Sequence, residues 1–394
     1  MREETRLIHG DARPHADFPT LTAPVHRAST IVFPTVQSFL DRHQQFYDGY
    51  SYALYGHPAS RELEARIADL EEGVRAVAVP SGLSAITLVN LAFLESGDHV
   101  LVPDTVYSPA RNVCGGLLSG LGIETTYYDP NETGCVADLI RPETRLIWVE
   151  SPGSMTMEIQ DLPAIAAAAR ARGVTVAVDN TWASPLFHKP LTLGADLSVQ
   201  AVSKHIGGHA DLILGVVTAA DETIFRKLKD TSRNLGLGVS PDDCWLALRG
   251  LGTLSARLAR QSESALQIAT WLSEHPAVER VLYPALASDP GYALWRRDFT
   301  GASGVFSVLL RPASADAVAA AIEGLRFFRI GASWGGLHSL VAPSDPRGIR
   351  TVQPWTADGQ LVRLSIGLEH PDDLIADLER GLATITEANI AEVS

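Results

Sequence analysis

The run SVQAVSKHIGGHADLILG occupies residues 198 to 215. Two apolar stretches, LSVQAV and LILGVV, bracket a lysine and a glycine pair, Lys204 and Gly207-Gly208. Strands buried on both faces read as short continuous apolar runs, so both stretches predict strands of a covered sheet. A lysine between them stands at a strand end. Desolvated there, its amine has a lowered pKa and is nucleophilic. The alternative is a lysine that snorkels to the surface or pairs with an acid.

Outward from Lys204 the pattern repeats. RAVAVP, HVLVP, IETTYY, RLIWVE and VTVAVD predict further strands. Helical stretches separate them, such as SGLSAITLVNLAFLESG (closed by Gly97), SPARNVCGGLLSGLG and LPAIAAAARARG. Strands alternating with helices imply right-handed crossovers and a mostly parallel sheet covered on both faces. From about residue 245 the texture shifts. CWLALRGLGTLSARLARQSESALQIATWLSEH predicts one long helical region, and VERVLYP, GVFSVLLR, LRFFRI and QLVRLSIG predict strands, with helices at SADAVAAAIEG and PDDLIADLERGLATI. Residues 1–55, rich in Pro, His and Thr around HGDARPHADFPTLTAPVHRAST, predict an extended arm that needs a surface, such as a neighbouring subunit. The expected divisions are this arm, an α/β domain over 56–245 and a smaller α+β domain over 246–394.

Bulk properties narrow the class. A chain of 394 residues fits two domains. A net charge of −14 argues against nucleic-acid or anionic-membrane partners. The apolar runs are far short of a membrane span. Cys114, Cys135 and Cys244, scattered and odd in number, suit a reducing compartment. The opening MREETRLIHG lacks the pattern of a signal peptide. The expectation is a soluble cytoplasmic protein.

In open α/β sheets, ligands bind beyond the carboxyl ends of the strands. After RAVAVP, Ser81-Gly82-Leu83 opens a helix, which is an anion site or a plain N-cap. After HVLVP, Tyr107 offers a face for a planar ligand, or is a half-buried tyrosine with a satisfied hydroxyl. Glu150 follows RLIWV and Asp179 follows VTVAV. A carboxylate buried there needs a partner, which a protonated ring nitrogen or an arginine supplies. Ser203-Lys204 follows DLSVQA, and such a lysine forms a Schiff base with a carbonyl or with pyridoxal phosphate (PLP). A phosphate cup, a stacking aromatic, an aspartate and a lysine at four strand ends form the set PLP requires.

The segments LEEGVRAVAVPSGLSA, GDHVLVPDTVYSP, ESPGSMTMEIQDLPAI, VDNTWASPL, IGASWGGLHSL and LVRLSIGLE, with the run around Lys204, resemble the Cys/Met-metabolism family of PLP-dependent trans-sulfuration enzymes. The similarity spans nearly the whole chain and is strongest to the cystathionine β-lyase branch. It implies the PLP-dependent transferase fold type I, with a mostly parallel seven-stranded sheet and a smaller C-terminal α+β domain. It implies a homotetramer built from dimers that share active sites. Lys204 would carry the cofactor, Asp179 would pair with its ring nitrogen and Tyr107 would stack on the ring. Ser81, the amides of Gly82 and Leu83, and the Ser203 hydroxyl would hold the phosphate. Arg363 would take the substrate carboxylate, helped by Ser333 beside Trp334. Tyr52 would arrive from the neighbouring subunit and join Lys204 and Tyr107 among the catalytic groups. The implied reaction is β-elimination on a sulfur amino acid, cystathionine to homocysteine, pyruvate and ammonia, in methionine biosynthesis. Cysteine, cystine or S-alkylcysteine cleavage, and γ-synthase or γ-lyase chemistry, are the alternatives.

Two positions depart from the family pattern. Leu54 stands where relatives carry an arginine that reaches the neighbouring subunit's phosphate; either the phosphate is held with less charge or, as expected here, His57 or Arg61 partly compensates. Ser154 replaces a frequent asparagine, which favours the β-lyase branch. Three rival readings also arise. Gly331-Ala332-Ser333-Trp334-Gly335 matches a hydrolase nucleophile elbow, with Asp345 and His370 following in order. His205 and His209 have the spacing of metal ligands, although the glycine pair between them opposes a regular helix, and no metal is expected. A non-catalytic regulator on a PLP fold is the third.

Overall fold

The computed structural model describes residues 2–9 and 20–393. The part of the expected arm at residues 10–19 lies outside the described residues. Two sheets organise the chain. The larger has seven strands: β1 (Arg75–Val79), β2 (His99–Pro103), β3 (Glu124–Tyr128), β4 (Thr144–Glu150), β5 (Thr175–Asp179), β6 (Leu197–Gln200) and β7 (Gly215–Ala219), in the order β1-β7-β6-β5-β4-β2-β3. Pairing is parallel from β6 through β3, whereas β7 runs antiparallel to both β1 and β6. β2, β6 and β7 are buried at every position, because helices cover both faces.

The two apolar runs around Lys204 are therefore adjacent antiparallel strands. The loop between them, residues 201–214, stands at the carboxyl edge of the sheet. The second strand starts at Gly215 and not at Leu212, because Leu212–Leu214 belong to the loop. Gly215 is required there: a Cβ would fall 2.2 Å from the Ser81 carbonyl oxygen.

The smaller sheet contains β8 (Val278–Leu282), β9 (Val305–Leu310), β10 (Arg329–Ile330), β11 (Leu340–Ser344) and β12 (Leu361–Ser365), in the order β10-β11-β12-β9-β8. Its apolar core includes Tyr283, Phe306 and Phe328, all nearly or fully buried, and reaches Trp182 of the larger domain. The Trp182 indole N–H donates to the Val305 carbonyl at 2.9 Å, joining the loop after β5 to β9.

Three elements differ from expectation. The long helical region divides into Pro241–Leu251 and Leu254–Ser273, with Gly252 and Thr253 between them. Strand β11 contains Pro343 and carries no clear apolar alternation. Proline is tolerated because β10 pairs only with Leu340 and Val341, leaving the Pro343 side as an edge. LRFFRI contributes only the two residues of β10. Among the described residues no helix is long and apolar enough to cross a membrane.

Candidate active site

At the end of β1, Ser81 caps the helix Gly82–Phe93, its Oγ accepting from the Ser84 N–H at 3.0 Å. Gly82 lies against the end of β6, where a Cβ would come within 2.6 Å of the Ala201 Cβ. A serine-capped helix N-terminus, lined by glycine, thus opens beside the Lys204 loop.

The loop is held tightly. Gly208 N–H donates to the Lys204 carbonyl and Gly207 N–H to the Val202 carbonyl, each at 2.7 Å. Gly208 has φ +72°, and a Cβ there would lie 2.0 Å from Arg257 Nη1. The Arg257 guanidinium is buried and donates to the carbonyls of His205 (2.8 Å), Ile206 (3.3 Å) and Gly250 (2.8 Å). The sequence gives no sign of this clamp, which lies 53 residues beyond Lys204.

Lys204 Nζ donates to Ser333 Oγ at 2.8 Å and lies 5.4 Å from the centre of the Trp334 ring. Burial, with the Arg363 charge, lowers its pKa to about 8, against a smaller opposite pull from Asp179. The amine is thus half neutral near pH 8. Arg363, on β12, is buried. Its Nη2 donates to the carbonyls of Ala332 (2.9 Å) and Ser333 (3.1 Å), and burial lowers its pKa to about 10. It remains charged at neutral pH and forms no ion pair among the described residues.

Asp179 ends β5 and pairs in register with Glu150 at the end of β4. Burial raises the Asp179 pKa, while the side chain and main-chain N–H of Thr181 oppose the rise, the N–H donating at 3.0 Å. Glu150 is pushed well above the usual carboxylate range by burial and by Asp179 beside it. Its Oε2 accepts the Tyr107 N–H at 2.7 Å. Tyr107 leaves 43% of its surface exposed, so its ring is open to a stacking partner. Beneath this edge, fully buried Glu71 accepts from Ser198 Oγ (2.9 Å), Gln200 Nε2 (2.8 Å) and Asn180 Nδ2 (3.3 Å), and burial raises its pKa to about 7. Glu71 and Glu150 carry no assigned role in the sequence reading. Only the position of Glu150 at a strand end marks it.

Other expected residues sit differently. Ser203 Oγ is engaged with Leu214, accepting its N–H at 2.9 Å and donating to its carbonyl at 3.2 Å. Leu83 is partly exposed on the first turn of its helix. Tyr52 is 43% exposed, touches Tyr55 edge-on at 6.1 Å, and makes no contact with Lys204 within one chain. His57, one of the two residues expected to compensate for Leu54, is engaged within its own chain. Its Nδ1 accepts the Ser60 N–H at 3.2 Å and its Nε2 meets the Val239 carbonyl at 3.2 Å. Arg61 is likewise committed, to Glu64 (3.3 Å) and to the Tyr55 carbonyl (3.4 Å). The nucleophile-elbow reading is also overturned. Ser333 follows a two-residue strand, no helix follows it, and Asp345 binds Arg347 at 2.8 Å. His205 packs on Trp334 at 5.1 Å between ring centres, and His209 Nδ1 meets the Gly207 carbonyl at 2.7 Å.

The family model for Cys/Met metabolism PLP-dependent enzymes matches residues 4–383. The chain belongs to this family. Among Cys/Met metabolism enzymes it is 41% identical over 386 residues to a cystathionine beta-lyase of Bordetella avium, covering 96% of this chain and 97% of that protein. It is 38% identical to an L-alanine/L-glutamate racemase of Wolbachia pipientis, covering 98% of each chain. The fold matches the crystal structure of cystathionine gamma-lyase from Lactobacillus plantarum complexed with L-serine, with TM-score 0.89, 31% identity, and coverage of 98% of this chain and 100% of that one.

PLP is the cofactor of Cys/Met metabolism enzymes, and the groups present fit it. Asp179 is a carboxylate without an ion-pair partner among the described residues, Lys204 is an amine of lowered basicity, and the Tyr107 face is open. A protonated heterocycle with an aldehyde and a phosphate complements each of these. Uptake of PLP by the cofactor-free protein should therefore accelerate about tenfold per pH unit up to roughly pH 8 and then level off, because only the neutral amine attacks. An ordinary lysine would keep accelerating toward pH ~10. The growth of yellow absorbance after mixing, followed across pH, checks this.

Proposed function

We propose that the protein catalyses PLP-dependent β-elimination on L-cystathionine, releasing homocysteine, pyruvate and ammonia. The observation that carries this is the Lys204 amine, lowered in basicity and aligned by Ser333 at 2.8 Å beside the Arg363 cation. Arg363 binds the substrate α-carboxylate, and the carbonyls that grip its Nη2 fix the plane of the guanidinium. Lys204 takes the proton from Cα, with Ser333 and Trp334 setting the direction of its amine. Bound PLP supplies the electron sink that lets the Cβ–S bond break. Asp179 would hold the ring nitrogen protonated, and Tyr107 would offer its face to the ring. Ser81, Gly82, Leu83 and Ser203 would hold the phosphate, for which the Ser203 hydroxyl would have to turn from the Leu214 carbonyl it now meets at 3.2 Å.

Tyr52 serves the neighbouring subunit of a homotetramer. The exposure of Leu21, Val32, Val36 and Leu40 in the segment leading to it supports such a contact. The arm over 1–55, the cofactor domain over 56–245 and the C-terminal domain over 246–394 belong to the same proposal, as do a cytoplasmic location and a place in methionine biosynthesis. Similarity at 41% identity to a cystathionine beta-lyase supports β-cleavage.

Purified protein given cystathionine should release pyruvate and homocysteine in equal amounts. Predominant 2-oxobutyrate would replace this reading with γ-cleavage, and racemisation without loss of sulfur would replace it with a racemase.

A further inference from the structure

The connection between β11 and β12, residues 345–360, is pinned at two points to the loops that follow β2 and β4. The first is Asp104, at the end of β2 and three residues before Tyr107. Its carboxylate is buried and accepts the N–H groups of Thr351 (3.0 Å), Val352 (3.0 Å) and Gln353 (3.3 Å), and the Thr351 hydroxyl (2.9 Å). Arg111, four residues past Tyr107, adds an ion pair at 2.5 Å. Burial pushes the Asp104 pKa up, but the Thr351 and Val352 amides and Arg111 bring it below the usual carboxylate range. It is therefore a charged anchor at neutral pH.

The second is Arg350, buried, which binds Glu158 Oε1 at 2.5 Å and the Thr156 hydroxyl. Thr156 and Glu158 belong to the tight loop after β4. Met155 and Met157 both adopt left-handed backbone there, at φ +66° and +64°, a region costly for residues other than glycine. This loop is tied to the Tyr107 loop, since Ser154 N–H donates to the Thr105 carbonyl at 2.9 Å.

Four successive residues, Arg350 to Gln353, thus fasten the β11–β12 connection to the loops that carry Tyr107 and Ser154. The same connection leads into β12, which bears Arg363. Val352 is held by its N–H yet leaves 46% of its surface exposed.

We infer that Asp104 and Arg350 are positioning residues that hold the Arg350–Gln353 segment as the outer wall of the site, against which the leaving group of the substrate lies. The inference rests on the β-elimination reading. It predicts discrimination by substrate length: a long amino-acid leaving group such as that of cystathionine touches the wall, and the chloride of β-chloro-L-alanine does not.

Asp104→Asn keeps shape but sets an NH2 group against the amides of Val352 and Gln353. The KM for cystathionine is expected to rise at least tenfold, while kcat and KM for β-chloro-L-alanine change less than twofold. Equal change for both substrates, or for neither, overturns the inference. Should Asp104→Asn fail to fold, Val352→Trp decides, because nearly half of this residue is exposed and the substitution leaves its N–H bond to Asp104 in place. Selective loss of cystathionine turnover supports the wall, and equal or absent loss refutes it. Wild-type protein that releases pyruvate from β-chloro-L-alanine keeps the β-elimination reading intact whichever way the variants fall. Wild-type protein that releases pyruvate from neither compound removes both.

Discussion

Lys204→Ala should abolish turnover, with pyruvate release falling by at least about 10³-fold, because one amine both anchors the cofactor and moves the Cα proton. The fold should survive. The Nζ makes a single side-chain hydrogen bond, to Ser333 Oγ, and its lowered pKa means the folded protein disfavours the charged form. The sign follows from linkage. A lysine whose folded pKa lies near 8 costs stability wherever an unfolded lysine is protonated, that is, throughout the range below pH ~10. Removing it relieves that cost, offsetting the lost packing of the aliphatic stem, so Tm should stay within a few degrees of wild type. The checks are pyruvate assay, thermal melt and borohydride reduction. Reduction should link cofactor covalently to wild type and leave Lys204→Ala unlabelled. A variant that melts normally, labels normally and keeps its rate would transfer the role of Lys204 to another amine.

The large sheet was legible because parallel strands buried on both faces must be apolar at nearly every position. HVLVP and TVAVD could not be mistaken. The polar residues at their carboxyl ends, Asp179 and the Lys204 loop among them, stood out because a buried sheet edge has no other use for charge. The antiparallel placement of β7 was not legible. Strand direction depends on whether the connection is long enough to cross over, and residues 201–214 form a loop without a helix. β11 was hidden by Pro343, which its edge environment tolerates.

Charge partners distant in sequence were also invisible. Asp104 meets Thr351, and Arg257 meets His205, only after both domains have packed. Proximity in sequence to Leu54 suggested a role for His57 and Arg61; within the chain His57 caps the helix Pro58–Leu70 and Arg61 pairs with Glu64, while the buried Arg61 Nε keeps no partner among the described residues.

Asp179→Asn should slow turnover by at least about 100-fold while leaving the site assembled. The amide oxygen of asparagine can still accept the Thr181 N–H that Asp179 Oδ1 accepts at 3.0 Å, so the turn after β5 keeps its shape. What is lost is the negative charge opposite the ring nitrogen, and with it the protonation that makes the heterocycle an electron sink. Glu150, the register neighbour, cannot take over. Its carboxyl is turned to the Tyr107 N–H at 2.7 Å, and burial holds it toward the neutral form. Removing the Asp179 charge takes away a repulsion and so lowers the Glu150 pKa, but the Tyr107 bond still directs that carboxylate elsewhere. Asp179→Asn protein should thus bind PLP and turn yellow, since Lys204 is untouched, and fail chiefly in kcat. Glu150→Gln is the control: its amide oxygen can keep the Tyr107 contact and it alters no charge that the reaction uses, so it should stay within a few-fold of wild type. If the control lost as much rate as Asp179→Asn, the charge serving the ring nitrogen would belong to the pair and not to Asp179 alone.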